Sequence, residues 1–136
     1  MRGRVFIIAG SDSGGGAGIQ ADIKTVSALD SFAATAITAV TAQNTQGVHS
    51  VHPVPTKFIK KQIDVVLSDI GADCIKIGML HDTRTIETVT KVLKKSAAEI
   101  PMVVDPVMTA KGGARLLAQD SVAALIKDLV PLATLL

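Results

Sequence analysis

The chain has 136 residues and a formal net charge of +2, and 48% of its residues are hydrophobic. This length suits one domain, and the apolar fraction favours strands that are covered on both faces, as in α/β proteins. So small a net charge, with only three aromatic residues, all Phe, argues against nucleic acid as a partner.

Two features bear on the cellular compartment. The amino-terminal apolar run ends at Gly10, so it is too short for a signal peptide or a membrane span. The single cysteine, Cys74, excludes an intrachain disulfide and fits a reducing environment. We therefore expect a soluble, cytoplasmic protein with no membrane partner.

Predicted strands and helices alternate along the chain. Apolar and β-branched runs predict strands at 5–9, 34–41, 74–78 and 102–105. Apolar residues at helical spacing predict helices at 17–29, at 56–70, from Thr83 to Lys95, and from about 121 to Pro131. Each strand–helix–strand unit is long enough for a right-handed crossover, so we expect a mostly parallel sheet.

Several local signals refine this pattern. Thr83 is the predicted N-cap of the third helix, and Asp120 or Ser121 that of the fourth. The fourth helix has a predicted inner face of Val122, Leu125, Ile126 and Leu129. The segment 48–54 alternates apolar and polar residues and predicts a short exposed ribbon. The segment 132–136 has the composition of a fifth strand that has just begun, and the chain looks interrupted there.

A glycine-rich turn lies between the first strand and the first helix, at residues 10–18. It lacks the Lys-Ser/Thr pair that a P-loop requires. A dinucleotide site would need an acid at the end of the second strand, and that strand ends Thr41-Ala42-Gln43. Two readings stay open: the glycines permit a tight turn, or they let the backbone approach a small ligand closely.

Four loops follow the predicted strands, at 10–18, 42–47, 78–82 and 105–113. Because ligands bind beyond the carboxyl ends of parallel strands, we expect these loops to converge. They carry Asp12, Gln43, Asn44, Met79, Asp105 and Lys111, and Asp22 on the first helix leans toward them.

Each candidate has a structural alternative. The Gln43 amide suits a heterocycle with an amino group beside a ring nitrogen, whereas Asn44 and Gln43 equally suit loop shaping. Asp105 is placed for magnesium or for a loop cap. Lys111 is a phosphate-binding cation or a solvated lysine. His49 and His52 point to opposite faces of an extended segment, so no zinc site is assigned.

Four ordered motifs resemble the hydroxymethylpyrimidine/phosphomethylpyrimidine kinases of thiamine biosynthesis, members of the ribokinase-like superfamily. The motifs are Ala9-Gly10-Ser11-Asp12-Ser13-Gly14-Gly15-Gly16-Ala17-Gly18-Ile19-Gln20-Ala21-Asp22-Ile23-Lys24-Thr25, Thr41-Ala42-Gln43-Asn44-Thr45-Gln46-Gly47-Val48, Ile75-Lys76-Ile77-Gly78-Met79-Leu80 and Val104-Asp105-Pro106-Val107-Met108. The resemblance implies a three-layer α/β/α fold, commonly a homodimer, that uses ATP and Mg²⁺ to phosphorylate the pyrimidine alcohol and then its monophosphate.

The resemblance also implies roles for individual residues. Gln43 matches the glutamine that hydrogen-bonds the aminopyrimidine, and Asp22 a carboxylate near the substrate's polar groups. Gly10, Met79 and Val107 match positions that line the family's pyrimidine pocket. Asp105 and Lys111 match the family's magnesium and phosphate network.

The resemblance ends with the chain. Family members continue beyond the position of Leu136 with the adenine pocket, an anion hole and the catalytic base, so we assign no catalytic residue and expect residues 1–136 to be the N-terminal part of one kinase domain, inactive or impaired alone. Two alternatives stay open, a non-catalytic pyrimidine-binding module and a kinase acting on pyridoxal.

Overall fold

The computed structural model describes residues 1–110 and 112–136. A five-stranded sheet with the order β3-β2-β1-β4-β5 forms its centre. The strands are β1 (Arg4–Asp12), β2 (Phe32–Asn44), β3 (Gly47–Pro53), β4 (Cys74–Ile77) and β5 (Met102–Val104). The pairs β1–β2, β1–β4 and β4–β5 are parallel, and β3 runs antiparallel to β2 at the edge.

Helices cover both faces of the sheet. They are α1 (Gly18–Ala28), α2 (Thr56–Asp69), α3 (Thr83–Ser96) and the short α4 (Val122–Ala124), which a wider helical turn (Leu125–Leu129) and a 3₁₀ turn (Val130–Leu132) continue. One core lies between the sheet and α1, and a larger one lies on the face that α2, α3 and the last helical segment cover. The expected three-layer, mostly parallel α/β/α fold is thus confirmed.

The sequence of β1 shows why the sheet is covered twice. Phe6 and Ile8 belong to the larger core, whereas Ile7 and Ala9 pack with Ile19 of α1 in the smaller one. Because alternate side chains of a strand point to opposite faces, a strand buried on both sides needs an unbroken apolar run. That run places the end of β1, and the glycine-rich turn after it, at the middle of the sheet.

The predicted loop at 42–47 is wrong in its extent. β2 continues to Asn44, because residues 39–44 pair with β3 on their outer side. β3 is the ribbon predicted at 48–54. The loop that remains is the turn formed by Thr45 and Gln46, so strand pairing overrides the low β-propensity of the polar residues.

Two helix predictions also need correction. The N-cap of α3 is Asp82, not Thr83: the Asp82 side chain accepts a 2.8 Å hydrogen bond from the Thr85 N–H. For the fourth helical segment, Ser121 does occupy the predicted N-cap position of α4, but no side-chain hydrogen bond caps either the Gln119–Ser121 turn or α4. Pro131 lies inside the last turn and does not end it.

The inner face predicted for the fourth helix is wrong at one position. Leu125 and Leu129 are buried, but Ile126 is 59% exposed. Over these residues the turn widens, and the Val130 N–H donates to the Leu125 carbonyl five residues back. Leu125 and Leu129, four residues apart, share the buried face, and Ile126 lies outside it.

At the carboxyl end, Leu135 forms a parallel bridge with Val103 of β5. The Val104 N–H donates to the Leu135 carbonyl at 2.9 Å. The strand-like character predicted for 132–136 is therefore present as one bridge. Among the described helices, none combines the length and the apolar character needed to cross a bilayer.

Candidate active site

A cavity of about 360 Å³ opens where β1, β2, β4 and β5 end. We call it the edge cavity. Of the seven predicted site residues, six line it: Gly10, Asp22, Gln43, Met79, Asp105 and Val107. The seventh, Lys111, lies outside the described residues. The expected convergence of the strand-end loops is therefore observed, and the volume lies in the range of small-molecule pockets.

The glycine-rich turn folds around its own carboxylate. The Asp12 side chain accepts hydrogen bonds from the N–H groups of Gly14 (2.8 Å), Gly16 (3.0 Å) and Ala17 (2.8 Å). It is only 5% exposed. These donors would otherwise face an external anion. The turn is thus an anion nest that Asp12 already fills, in agreement with the rejection of a P-loop.

Two glycines bring the backbone to the cavity floor. Gly18 begins α1 with a φ of +56°, and a Cβ there would lie 2.4 Å from the Gly10 carbonyl oxygen. A Cβ on Gly10 would lie 3.0 Å from the Met79 sulfur. Both close contacts are made within the protein itself and support the tight-turn alternative, while the approach of the backbone to a small ligand stays a prediction.

Gln43 is fixed through its backbone. Its N–H donates to the Ser13 Oγ at 2.8 Å, and the Ser13 hydroxyl donates to the Gln43 carbonyl at 2.7 Å. The Thr41 hydroxyl lies 2.9 Å from the Ser11 carbonyl and 3.3 Å from the Gln43 Oε1. Because one hydroxyl donates one proton, the shorter contact takes it, and the Gln43 amide faces the cavity with its hydrogen-bonding capacity for a ligand.

Asn44 shapes the loop, which is the structural alternative that the sequence left open for it. Its Oδ1 accepts hydrogen bonds from the N–H groups of Gln46 (2.9 Å) and Gly47 (3.2 Å). This Asx turn closes the hairpin between β2 and β3. Asn44 therefore shapes the loop that carries Gln43 and is absent from the cavity lining.

Apolar side chains form one wall of the cavity. Met79 is 7% exposed, and its carbonyl accepts a 2.6 Å hydrogen bond from the buried Thr38 hydroxyl. Val107 follows β5, and its N–H donates to the Asp105 carbonyl at 2.8 Å. Because Met79 and Val107 line the same cavity as polar side chains, the lining suits a flat, partly apolar ring.

Charged groups also line the cavity. The Lys76 Nζ lies 2.8 Å from the Asp22 Oδ2 and 4.0 Å from the Asp105 Oδ2. Sequence reasoning did not select Lys76, although it lies within one of the four motifs. The signal was available: a lysine between Ile75 and Ile77 in a buried strand needs a polar partner or a polar cavity.

Asp105 combines a fixed backbone with an exposed side chain. Its N–H donates to the Ile77 carbonyl at 2.9 Å, which extends the pairing of β4 and β5. Its carboxylate is 59% exposed. A carboxylate so placed can meet a cation or a polar group at the cavity mouth.

The fold and the cavity define an α/β protein with a cavity of small-molecule size at the carboxyl edge of a mostly parallel sheet. A family model described as phosphomethylpyrimidine kinase matches residues 12–136. The chain therefore belongs to the phosphomethylpyrimidine kinase family, whose structural neighbours are ribokinase-like vitamin kinases.

Relatives and solved structures agree with this assignment. The hydroxymethylpyrimidine/phosphomethylpyrimidine kinase of Bacillus subtilis is 53% identical over 128 residues, which are 94% of this chain and 47% of the relative. The phosphomethylpyrimidine kinase of Clostridium difficile 630 has a TM-score of 0.88 at 48% identity, covering 96% of this chain and 56% of that one. The pyridoxal kinase of Staphylococcus aureus, solved with ADP, has a TM-score of 0.82 at 41% identity, covering 96% and 47%.

The chain spans less than half the length of the curated relatives it matches, between 27% and 48%.

Proposed function

We propose that the edge cavity is the pyrimidine site of a kinase that phosphorylates 4-amino-5-hydroxymethyl-2-methylpyrimidine and then its monophosphate, in thiamine biosynthesis. The observation that carries the proposal is the convergence of six residues, chosen from the sequence, on one cavity of about 360 Å³ in a chain of this family. Residues 1–136 form the N-terminal part of that kinase domain in this proposal.

The lining offers a complementary surface for an aminopyrimidine. The Gln43 amide provides a donor and an acceptor side by side, as the amino group and ring nitrogen require. Asp22 provides a further acceptor, whose Oδ2 lies 2.8 Å from the Lys76 Nζ. The ring lies against Met79 and Val107, and Gly10 lets it approach the backbone.

The residues present fit a magnesium ion in part. Mg²⁺ usually binds one or two carboxylates together with substrate phosphates and water. The exposed Asp105 carboxylate is such a ligand and would hold the ion. The role of Lys111 as a phosphate-binding cation is part of the proposal and comes from the family resemblance. ATP, which Mg²⁺ accompanies, would supply the γ-phosphoryl group. The described residues contribute to binding and orienting the acceptor.

The proposal includes a cytoplasmic enzyme and a homodimer. The cysteine content supports the compartment: Cys74 is a free thiol whose pKa is raised by burial, as suits an inert cysteine in a reducing environment. The dimer is an expectation from the family.

Calorimetry with the free pyrimidine alcohol tests the site. Gln43→Ala should weaken binding at least about tenfold, because it removes the paired hydrogen bonds to the ring. Gln46→Ala is the matched control, since Gln46 is exposed in the turn three residues on and should leave the affinity unchanged. Binding that survives Gln43→Ala would remove Gln43 from the pocket.

A pyridoxal kinase is the second candidate, because the Staphylococcus aureus pyridoxal kinase is 41% identical over nearly the whole chain. Calorimetry with pyridoxal, run beside the pyrimidine alcohol, separates the two. We expect the pyrimidine to bind more tightly. A tighter pyridoxal complex that is insensitive to Gln43→Ala would favour the second candidate.

A further inference from the structure

Lys76 has an unusual position for a lysine. It lies on β4, which pairs with β1 on one side and β5 on the other. Its neighbours Ile75 and Ile77 are fully buried on the opposite face of the sheet, and the Lys76 side chain is only 23% exposed. A charge in an inner strand is costly unless it is paired. The ammonium group therefore depends on what lines the edge cavity.

The contacts of this ammonium group span the cavity. Its Nζ lies 2.8 Å from the Asp22 Oδ2 on α1 and 4.0 Å from the Asp105 Oδ2 after β5. A Cβ on Gly78 would lie 3.2 Å from the Nζ. A glycine at 78 thus leaves room for the ammonium group. Lys76 connects the carboxylate assigned to the pyrimidine with the one assigned to magnesium and phosphate.

The charges of the cavity are unequal. Among its described lining residues, three carboxylates face one cation, which is Lys76. Asp12 is satisfied by three N–H groups of the turn. The negative charges of Asp22 and Asp105 remain, and the single positive charge of Lys76 neutralises only one of them. A dianionic ligand that enters this space meets repulsion from both carboxylates unless Lys76 neutralises part of its charge.

We propose that Lys76 is the specificity residue by which this site accepts the phosphorylated pyrimidine as well as the alcohol. This inference rests on the proposed function. A phosphate monoester carries about −1.5 to −2 charges at neutral pH and offers three acceptor oxygens. The ammonium group pairs with Asp22 when the ligand is the neutral alcohol, and donates to the ester oxygens when the ligand is the monophosphate.

A purely structural role makes a different prediction. If Lys76 only tied α1 to the sheet through Asp22, its loss would weaken the binding of both ligands to a similar degree. A role in charge recognition weakens the monophosphate selectively. It also makes monophosphate binding steeply dependent on salt, because a charge pair is screened and an amide contact is not.

The experiment measures the affinities of the pyrimidine alcohol and of its monophosphate by calorimetry, at low and high salt, for the 136-residue chain. Lys76→Met keeps the length of the side chain and removes its charge. Lys76→Arg keeps the charge, and Lys91→Met, on the exposed face of α3, is the matched control for loss of one positive charge. Thermal unfolding of each variant reports folding.

The expected result is a loss of at least about tenfold for the monophosphate and less than about threefold for the alcohol in Lys76→Met. Lys76→Arg should retain monophosphate binding, and Lys91→Met should change neither affinity. Asp22→Asn provides a test that keeps Lys76: the ratio of monophosphate to alcohol affinity should rise, because a repelling carboxylate is removed.

Three results would overturn the inference. One is an equal loss for both ligands in Lys76→Met, and another is an unchanged monophosphate affinity in that variant. The third is a ratio of monophosphate to alcohol affinity that does not rise in Asp22→Asn. This third result overturns the inference even if Lys76→Met does not fold. Native chain that binds the alcohol and not the monophosphate refutes this inference alone. Native chain that binds neither ligand refutes the proposed function as well.

Discussion

The Gly18 α-carbon packs directly against the Gly10 carbonyl, so that a Cβ on Gly18 would lie 2.4 Å from that oxygen. The same virtual Cβ would lie 3.2 Å from the Asp12 nitrogen. The first residue of α1 thus touches the end of β1 through backbone alone. This contact sets the angle at which α1 leaves the sheet and hence where Asp22 meets the edge cavity.

Gly18→Ala should therefore destabilise the protein strongly. The substitution adds a steric clash with backbone to a φ of +56°, which L-residues rarely adopt. Each effect costs on the order of 1–3 kcal/mol. Urea denaturation followed by circular dichroism measures the change in the free energy of unfolding.

Gly47→Ala is the matched control. A Cβ on Gly47 would have no atom within 4 Å, so its unfolding free energy should stay within about 0.5 kcal/mol of the native value. Equal stability of the two variants would contradict the close packing of α1 on β1.

A second prediction concerns Asp12. Asp12→Asn replaces one carboxylate oxygen with an NH₂ group, which cannot accept hydrogen bonds, so at least one of the N–H groups of Gly14, Gly16 and Ala17 loses its acceptor. A buried donor without a partner costs about 1–3 kcal/mol. We expect the unfolding free energy to fall by that amount and the amide hydrogens of the turn to exchange faster with solvent.

Asp69→Asn serves as the comparison for this variant, because Asp69 is an exposed carboxylate at the end of α2. Its stability and its amide exchange in the turn should match those of the native chain. Unchanged exchange at Gly14 and Gly16 in Asp12→Asn would show that Asp12 does not organise the turn.

The layout of the site could be predicted from the sequence because it follows from a general rule. Parallel strands end at one edge, so the loops after them converge whatever their detailed conformation. Gln43, Met79 and Asp105 each follow a predicted strand and line one cavity. The resemblance added Gly10 and Val107 to that set, and the structure brings both to the same cavity.

Features that depend on tertiary contacts could not be predicted in the same way. The extension of β2 to Asn44 depends on its pairing with β3, and the exposed Ile126 lies in a helical turn that is wider than the sequence predicts. Lys76 was overlooked because its partner Asp22 is 54 residues away in the chain. No local pattern reports such a pair, although a lysine inside an apolar strand indicates that one is needed.

The last prediction concerns pH and the pair formed by Arg4 and Asp73, which ties β1 to the segment before β4. The Arg4 side chain donates to the Asp73 carboxylate from Nε at 3.1 Å and Nη2 at 2.7 Å, and the Arg4 N–H donates at 2.8 Å. These hydrogen bonds, first from the side chain and then from the backbone, lower the pKa of Asp73 from 3.8 to about 2.

A carboxyl whose pKa is lower in the folded state stabilises the protein above its unfolded pKa, and this contribution is lost as the pH falls through the folded pKa. The contribution of Asp73 should therefore be complete above about pH 4 and vanish toward pH 2. Asp73→Asn should be less stable than the native chain at neutral pH, and the difference in unfolding free energy should shrink across that window.

Denaturant unfolding at a series of pH values measures this difference, and carbon NMR of the Asp73 carboxyl gives its pKa directly. Since both side chains are exposed, added salt should reduce the difference. A difference that stays constant from pH 5 to pH 2 would contradict the hydrogen-bonded ion pair.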